Sequence, residues 1–314
     1  MPSSPFARIL VGYVASEQGA DAQALGAELA TASGGDVTLV NVVSAFWIEH
    51  VGEQTGPALI HSGQRERAAS ALKEAADELA AVLQTGHVER RLEASSSPAR
   101  GLHDTAVTER ADLIVVGSTH HGALGRVLLG SVGERLLAGA PCAVAVAPRG
   151  YAARQPRPIR VIAVAFDGSP EAQVALATGH ALATRIGAAL RVIMVIEPPA
   201  AIPGQFVPRP GLQPVATVER AEAIERQEAG ARTALDRAIR ALGDGCAMER
   251  QLLFRSDPPA AILDAVRPDV DLLVLGSRAY GPIRRALAGG VSHAVIRHAP
   301  CPVLITPRVG ELAG

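Results

Sequence analysis

One long stretch of this chain occurs twice. "ADLIVVGSTHHGALGRVLLGSVGERLLAGAPCAVAVAPR" (Ala111–Arg149) aligns with "VDLLVLGSRAYGPIRRALAGGVSHAVIRHAPCPVLITPR" (Val270–Arg308) at a constant offset of 159. The alignment places Gly117 on Gly276, Gly130 on Gly289, and Pro141-Cys142 on Pro300-Cys301. Near the start of each half, "RILVGYVASEQGADAQAL" (Arg8–Leu25) matches "RVIAVAFDGSPEAQVAL" at an offset of 153 through Ser16 and Ser169, so the second copy is six residues longer in its middle. Repeats of this size are domains, not solenoid units, and 314 residues suffice for two of them. The run "APRGYAARQPRP" (Ala147–Pro158) is rich in Pro, Gly and Arg and reads as a linker. The expected division is a first domain over 1–149, a linker over 150–158 and a second domain over 159–309.

Each half alternates short β-branched runs with helical periodicity. The first half predicts strands at Ile9–Val14, Asp36–Val43, His87–Leu92, Leu113–Gly117 and Cys142–Ala147, with helices at Gln18–Ser33, Gly63–Leu83, Pro98–Thr108 and Ser131–Ala138. The second predicts strands at Val161–Phe166, Leu190–Ile196, Met248–Phe254, Leu272–Gly276 and Pro302–Thr306, with helices at Glu171–Ile186, Val215–Leu242, Pro259–Val266 and Val291–His298. Continuous apolar strands such as "LIVV" and "LLVL" mark a parallel sheet covered on both faces. The fold class is α/β: two tandem, doubly wound, five-stranded parallel-sheet domains of Rossmann-like architecture. In such sheets a ligand sits beyond the carboxyl ends of the strands, at the switch point. The ending strands "CAVAVAP" (Cys142–Pro148) and "CPVLITP" (Cys301–Pro307) are apolar on both faces, and each closes its sheet. An exposed apolar edge tends to be paired, so these two are expected to lie against each other, making an intramolecular pseudo-dimer. A homodimer through other surfaces stays open.

Composition excludes several classes. A net charge of −1 gives the whole molecule no attraction to nucleic acid or a membrane surface, and 3% aromatic residues are too few for a base-stacking platform. No apolar run approaches the ~18 residues of a membrane span. The N-terminal "MPSSPFARILVGY" lacks a basic region followed by a long apolar core. Three cysteines without a CxxC pair suit a reducing cytoplasm.

The loops after the fourth strand carry the candidate chemistry. Gly117-Ser118-Thr119-His120 leads, nine residues on, to Gly130-Ser131-Val132 before a helix, and the arrangement recurs from Gly276 to Val291. Glycine permits close backbone approach, successive N–H groups at a helix start attract an anion, and a serine adds a donor. Arg278 sits inside the second loop, where it could touch a phosphate or stand as a solvated surface residue. A plain strand-to-helix joint would use the same residues, but its appearing twice, each time after a buried strand, weighs against that. Asp167 could instead cap the following helix, and Asp257 reads only as a helix start. Cys142 and Cys301 read as small core residues. His120-His121 has no third metal ligand at useful spacing. The Pro-rich Glu197–Val215 reads as a stiff connection that could act as a lid. No Ser-His-Asp set or carboxylate pair reads as catalytic.

On the two strand-four loops, the "FDGSPEA" run (Phe166–Ala172) and the paired "APC-x-V-x-x-x-P" endings, the chain resembles the universal stress protein family, as a tandem of two domains. The resemblance implies an adenine-nucleotide alpha hydrolase-like fold. Its ATP-binding members carry G-x2-G-x9-G-(S/T) after strand four and an Asp at the end of strand one. It implies a site in the second domain at Asp167, Gly168, Ser169, Gly276, Arg278, Gly289, Gly290 and Val291. In the first it implies Gly117, Gly130, Ser131 and Val132. The backbone of Val42 and Val195 matches the family's adenine-edge position. The ligand expected is ATP or AMP, with Mg as counter-ion.

Both domains depart from the pattern. Val14 stands where the Asp belongs and His120 where the second Gly belongs; in the second domain Ala279 replaces that Gly and Gly290 the Ser/Thr. Val14 cannot accept a hydrogen bond from a ribose hydroxyl, a loss of roughly 0.5–1.5 kcal/mol. Gly290 keeps its N–H and loses one hydroxyl. The second domain is therefore expected to be the better site. The expected function is regulatory binding of an adenine nucleotide without efficient turnover. The alternative is a scaffold acting through domain and partner contacts, and a very slow ATPase is a third class.

Overall fold

The computed structural model describes residues 5–44, 57–83, 87–119, 125–154, 158–198, 215–277 and 290–307. The first half runs β1 (Arg8–Gly12), α1 (Glu17–Ser33), β2 (Asp36–Ser44), α2 (Pro57–Val82), β3 (Val88–Ser95), α3 (Pro98–Glu109), β4 (Leu113–Gly117), α4 (Ser131–Gly139) and β5 (Ala143–Ala147). The second repeats it as β6 (Val161–Ala165), α5 (Pro170–Ile186), β7 (Ala189–Ile196), α6 (Val215–Leu242), β8 (Met248–Phe254), α7 (Pro258–Val266), β9 (Leu272–Gly276), α8 (Val291–Ile296) and β10 (Val303–Thr306). Among the described residues no helix is long and apolar enough to cross a membrane.

Local chemistry sets these boundaries. Ser16, Ser97, Ser169 and Asp257 cap α1, α3, α5 and α7 by accepting the amides of Gly19, Arg100, Ala172 and Ala260. Ser169, not Asp167, is thus the cap of α5. The helices α1 and α5 end at Gly34 and Gly187, whose φ of 65° and 71° lies in the left-handed region that glycine enters without strain. The strand β1 stops two residues short of Val14. Tyr13 still donates to the Val40 carbonyl, but the chain then turns, with the Ser16 amide on the Val14 carbonyl.

The strands form one sheet in the order β3-β2-β1-β4-β5-β10-β9-β6-β7-β8. Every pairing inside a half is parallel. The two halves meet at β5 and β10, which pair antiparallel with Val144 opposite Ile305, Ala145 opposite Leu304 and Val146 opposite Val303. The offset of 159 makes Ala145 and Leu304 equivalent, so a pseudo-two-fold axis passes through that pair. The expected five-stranded sheets are therefore fused into one, and the edges fall to β3 and β8.

The core lies in two layers, one on each face, and each layer is shared by both halves. One joins Leu25 and Leu29 of α1 to Leu176 and Leu182 of α5, with Ala145 and Leu304 between them. The other joins Leu136 and Leu137 of α4 to Val295 and Ile296 of α8, with Val144 and Val303 between them. Successive residues of β5 thus serve opposite layers, as strand geometry requires.

A clamp repeats in each half at the amino ends of its strands, away from that half's own candidate loop. Asp112 accepts the amides of Ala7 and Arg8, each at 2.9 Å, through one oxygen. The equivalent Asp271 accepts those of Arg160 and Val161 at 2.8 and 3.0 Å. Between the halves, buried Asp21 of α1 accepts the amides of Gly150 and Ala152, both at 2.8 Å. The Tyr151 hydroxyl donates to Glu28, whose carboxyl is pushed up by burial against the lowering effect of that bond. The start of the connecting segment is thus docked on α1; residues 155–157 lie outside the described residues.

Leu304 is 0% exposed and Val144 2%. An unpaired charge here has no partner and no water, which costs about 3–5 kcal/mol. Leu304→Arg or Val144→Glu should lower the unfolding free energy, read from urea titration, by that order. Leu304→Met should change it little.

Candidate functional sites at the strand ends

In the first half, β1 and β4 end side by side, and the chain leaves β4 through Gly117. A Cβ on Gly117 would lie 2.1 Å from the Gln18 carbonyl oxygen in the first turn of α1. The Gln18 amide also donates to the Gly117 carbonyl at 3.0 Å. Gly117 is therefore demanded by packing, whether or not a ligand is present. Beyond it, buried Ser118 accepts the Leu128 amide at 3.1 Å and Thr119 donates to the Leu128 carbonyl at 3.0 Å. The loop thus returns onto its own start before Gly130 opens α4. Gly130 has an ordinary extended backbone, φ −88° and ψ 178°, and no side chain caps the helix. A Cβ there would meet only Thr119, at an ordinary 3.5 Å. Among the described residues nothing requires glycine at this position. Ser131, first in α4, is exposed and Val132 half-buried. His120 and His121 lie outside the described residues.

In the second half the end of β6 is built differently. Asp167 Oδ1 accepts both the amide of Ser169, at 2.9 Å, and its hydroxyl, at 2.6 Å. This is an Asx turn, in which a carboxylate takes the part that the Val14 carbonyl plays in the first half. Gly168 sits between them at φ 82°, a conformation costly for a residue with a Cβ. The carboxylate thus fixes the entry to α5 and stays exposed at the strand end. Gly276 repeats the role of Gly117: a Cβ would lie 2.7 Å from the carbonyl carbon of Glu171. Ser277 is buried after it. Gly290 precedes α8 with φ −69° and ψ 140°. Val291 is exposed, and the Ser292 hydroxyl reaches the Gly276 carbonyl at 3.5 Å. Arg278, Ala279 and Gly289, and residues 199–214 of the Pro-rich connection, lie outside the described residues.

Ladder parity sets the backbone at Val42 and Val195, the positions expected at an adenine edge. Even-numbered residues of β2 turn their main-chain groups toward β1: Asp36 donates to the Ala7 carbonyl and Val40 accepts from Tyr13. Val42 is next on that side, past the last bond to β1, so its N–H and C=O aim over the end of β1. In β7 the same side holds Ala189, which donates to the Arg160 carbonyl, and Ile193, which accepts from Phe166. Val195 follows by the same step. Val42 and Val195 therefore present the same backbone edge past the ends of β1 and β6, at equivalent places in the two halves.

A family model described as the universal stress protein family matches residues 5–148 and again residues 158–307. The chain belongs to the universal stress protein family. A universal stress protein of Mycobacterium tuberculosis is 29% identical over 310 residues, spanning 95% of this chain and 99% of the relative. One from Thermus aquaticus is 35% identical over 147 residues, 46% of this chain and 97% of its own length. The solved structure of a universal stress protein from Archaeoglobus fulgidus covers 98% of this chain and 100% of its own, with a TM-score of 0.66 at 19% identity, a likeness of fold.

As a universal stress protein this chain holds structural elements that its glycine pattern hides. Gln18 and Glu171, one turn into α1 and α5, decide why Gly117 and Gly276 are glycines. A shared approach of that helix turn to the fourth strand in both halves is the signal, and it is visible only in three dimensions. The thiols of Cys142 and Cys301 are buried at the β5–β10 layer and pushed up to about 12 by burial. They are core residues, as expected. Among the described residues no three His, Cys, Asp or Glu side chains cluster to hold a metal.

Gly117→Ala and Gly276→Ala should each destabilise the ligand-free protein by about 1–3 kcal/mol through overpacking, and Gly130→Ala should cost far less; thermal unfolding of the three variants reads this. Unfolded thiols ionise near about 8.5, whereas the folded Cys142 and Cys301 hold their protons to about 12. Raised folded values favour the native state below the unfolded pKa, and that contribution is lost as pH rises through the interval. Wild type should therefore lose stability from pH 8.5 toward 12 more steeply than Cys142→Ala/Cys301→Ala. At pH 8 a thiol reagent should label half-buried Cys246 ahead of the other two.

Proposed function

We propose that this universal stress protein is a regulator that binds an adenine nucleotide, ATP or AMP, beyond the carboxyl ends of its parallel strands and does not turn it over efficiently. The observation that carries the reading is Gly130. Its backbone is ordinary and a Cβ there would clash with none of the described residues. The space a Cβ would fill, at the start of α4, is where an anion is favoured by successive N–H groups and the helix dipole. Across the same gap Val42 offers a main-chain donor and acceptor of the spacing an adenine edge needs.

The second domain is the stronger site in this reading. Asp167 supplies a carboxylate at the ribose position, where Val14 is apolar and 48% exposed in the first. Gly168, Ser169 and Val195 complete that end, and Gly276, Arg278, Gly289, Gly290 and Val291 serve the phosphates. The first domain keeps the phosphate end, Gly117, Gly130, Ser131 and Val132. Magnesium enters with the phosphates as their counter-ion. The two domains divide at the segment following β5, and the reading places the protein in the cytoplasm.

Calorimetric titration of the full chain with ATP and with AMP tests this. Asp167→Ala should weaken binding by about 1 kcal/mol or more. Val14→Asp with His120→Gly should strengthen the first site, near additively, since the two changes act on opposite ends of one ligand. Absence of binding by wild type and by the repaired variant would overturn the nucleotide reading in favour of a scaffold.

A further inference from the structure

The limb of the first domain's loop that enters α4 is hydrogen-bonded at Gly125, Arg126, Val127 and Leu128. The Gly125 amide donates to the Arg149 carbonyl at 2.8 Å, and the Arg149 amide returns to the Arg126 carbonyl at 3.2 Å. Arg149 leads into the segment that Asp21 docks on α1. Two residues on, the Val127 amide donates to the carbonyl of Ala299 at 3.0 Å. Ala299 belongs to the second domain, between α8 and β10. Val127 and Ala299 are both 0% exposed, so neither group has water as a substitute partner if the bond opens. Leu128 then closes on Ser118 and Thr119, and Gly130 starts α4.

The sheet topology explains the contact. Because β5 and β10 run antiparallel, the carboxyl end of the first domain's strands lies beside the entry to β10. The anion-facing loop of the first domain is thus packed against the start of the second domain's last strand. Its position and the docking of the domains are not independent.

We propose that Ala299 and the Arg149 segment are positioning residues for the first domain's loop, so that ligand occupancy there and docking of the two domains are thermodynamically linked. The ligand part rests on the nucleotide reading above. Linkage is reciprocal: whatever orders Gly125–Gly130 tightens the domain contact, and whatever loosens that contact weakens the site.

Hydrogen–deuterium exchange resolved by peptide, on the full chain, tests this with and without ATP. Leu304→Arg loosens the domain contact, Asp21→Asn loosens only the docked segment, and Leu304→Met is the control. Without ligand, amides of Gly125–Leu129 should exchange at least tenfold faster in Leu304→Arg. The fivefold or greater rise expected in Asp21→Asn should centre on Gly125 and Arg149. Wild-type exchange of this segment in both folded variants would overturn the proposal. Should Leu304→Arg fail to fold, Asp21→Asn decides alone, because it leaves the β5–β10 ladder in place. With ATP, the concentration protecting this segment should rise at least fivefold in the loosened variant. An unchanged midpoint despite a loosened loop would overturn the linkage. If the loop loosens as expected but ATP protects neither protein, the nucleotide reading falls and the positioning role of the second domain stands.

Discussion

The antiparallel ladder between β5 and β10 is the constraint on which the rest of the molecule depends. Each five-stranded half would otherwise end on an apolar strand with unpaired backbone, the feature that drives edge-to-edge association. Three residue pairs centred on Ala145 and Leu304 satisfy both edges at once. Since the strands alternate faces, the same pairs place Leu304 in one core layer and Val144 in the other. The two layers therefore continue without a break from one half into the next. The domains are sequence repeats, but their cores are common property.

Antiparallel joining also fixes where the candidate sites lie. All strands of one half run against all strands of the other, so the carboxyl ends of the two halves face opposite ends of the long sheet. Each site consequently borders the entry side of the other half. The cleft lined by Leu137, Ala140, Cys142, Ser277 and Thr306 shows this at the second domain's end. Ala140 there is the counterpart of Ala299 under the offset of 159. The docked segment after β5 does for the first domain what a simple tether would not. It carries Arg149 to the loop and holds it there through Asp21, so the connection is part of the architecture.

Much of this was legible in the sequence because it is local or periodic. The repeat, the apolar strands, the capping serines and the terminal glycines define the elements to within a residue or two in most places. The larger misses have local causes. The start of α2 at Pro57 precedes the expected Gly63, β3 runs on to Ser95 past the expected Leu92, and β1 is short because the chain turns at Val14. What stayed hidden joins residues far apart in the chain: Asp112 with Arg8, Asp21 with Gly150, Val127 with Ala299. A carboxylate that clamps two amides looks, in sequence, like any other surface aspartate. The glycines were visible, but their reasons were not. Gly117 and Gly130 read as two parts of one loop motif, yet one is demanded by Gln18 and the other by none of the described residues.

That separation bears on what the altered motif positions mean. Val14 is exposed, and Gly290 has an ordinary backbone that a serine would share. At Val14 the side chain is 48% exposed, so the fold makes little demand on it. At Gly117 and Gly276 a single methyl group would collide with a helix turn, so the fold holds those positions whatever binds. A glycine in the loop is thus evidence for a ligand only where packing makes no claim on it. By that standard Asp167 is divided: one oxygen organises the entry to α5 through Ser169, and its exposure at the strand end is the part that packing does not explain. A loss of the aspartate is tolerable to the fold where a backbone carbonyl can close the same turn, as Val14 does. The first domain therefore keeps its shape without the carboxylate, and only the chemistry available to a ligand at that end differs between the halves.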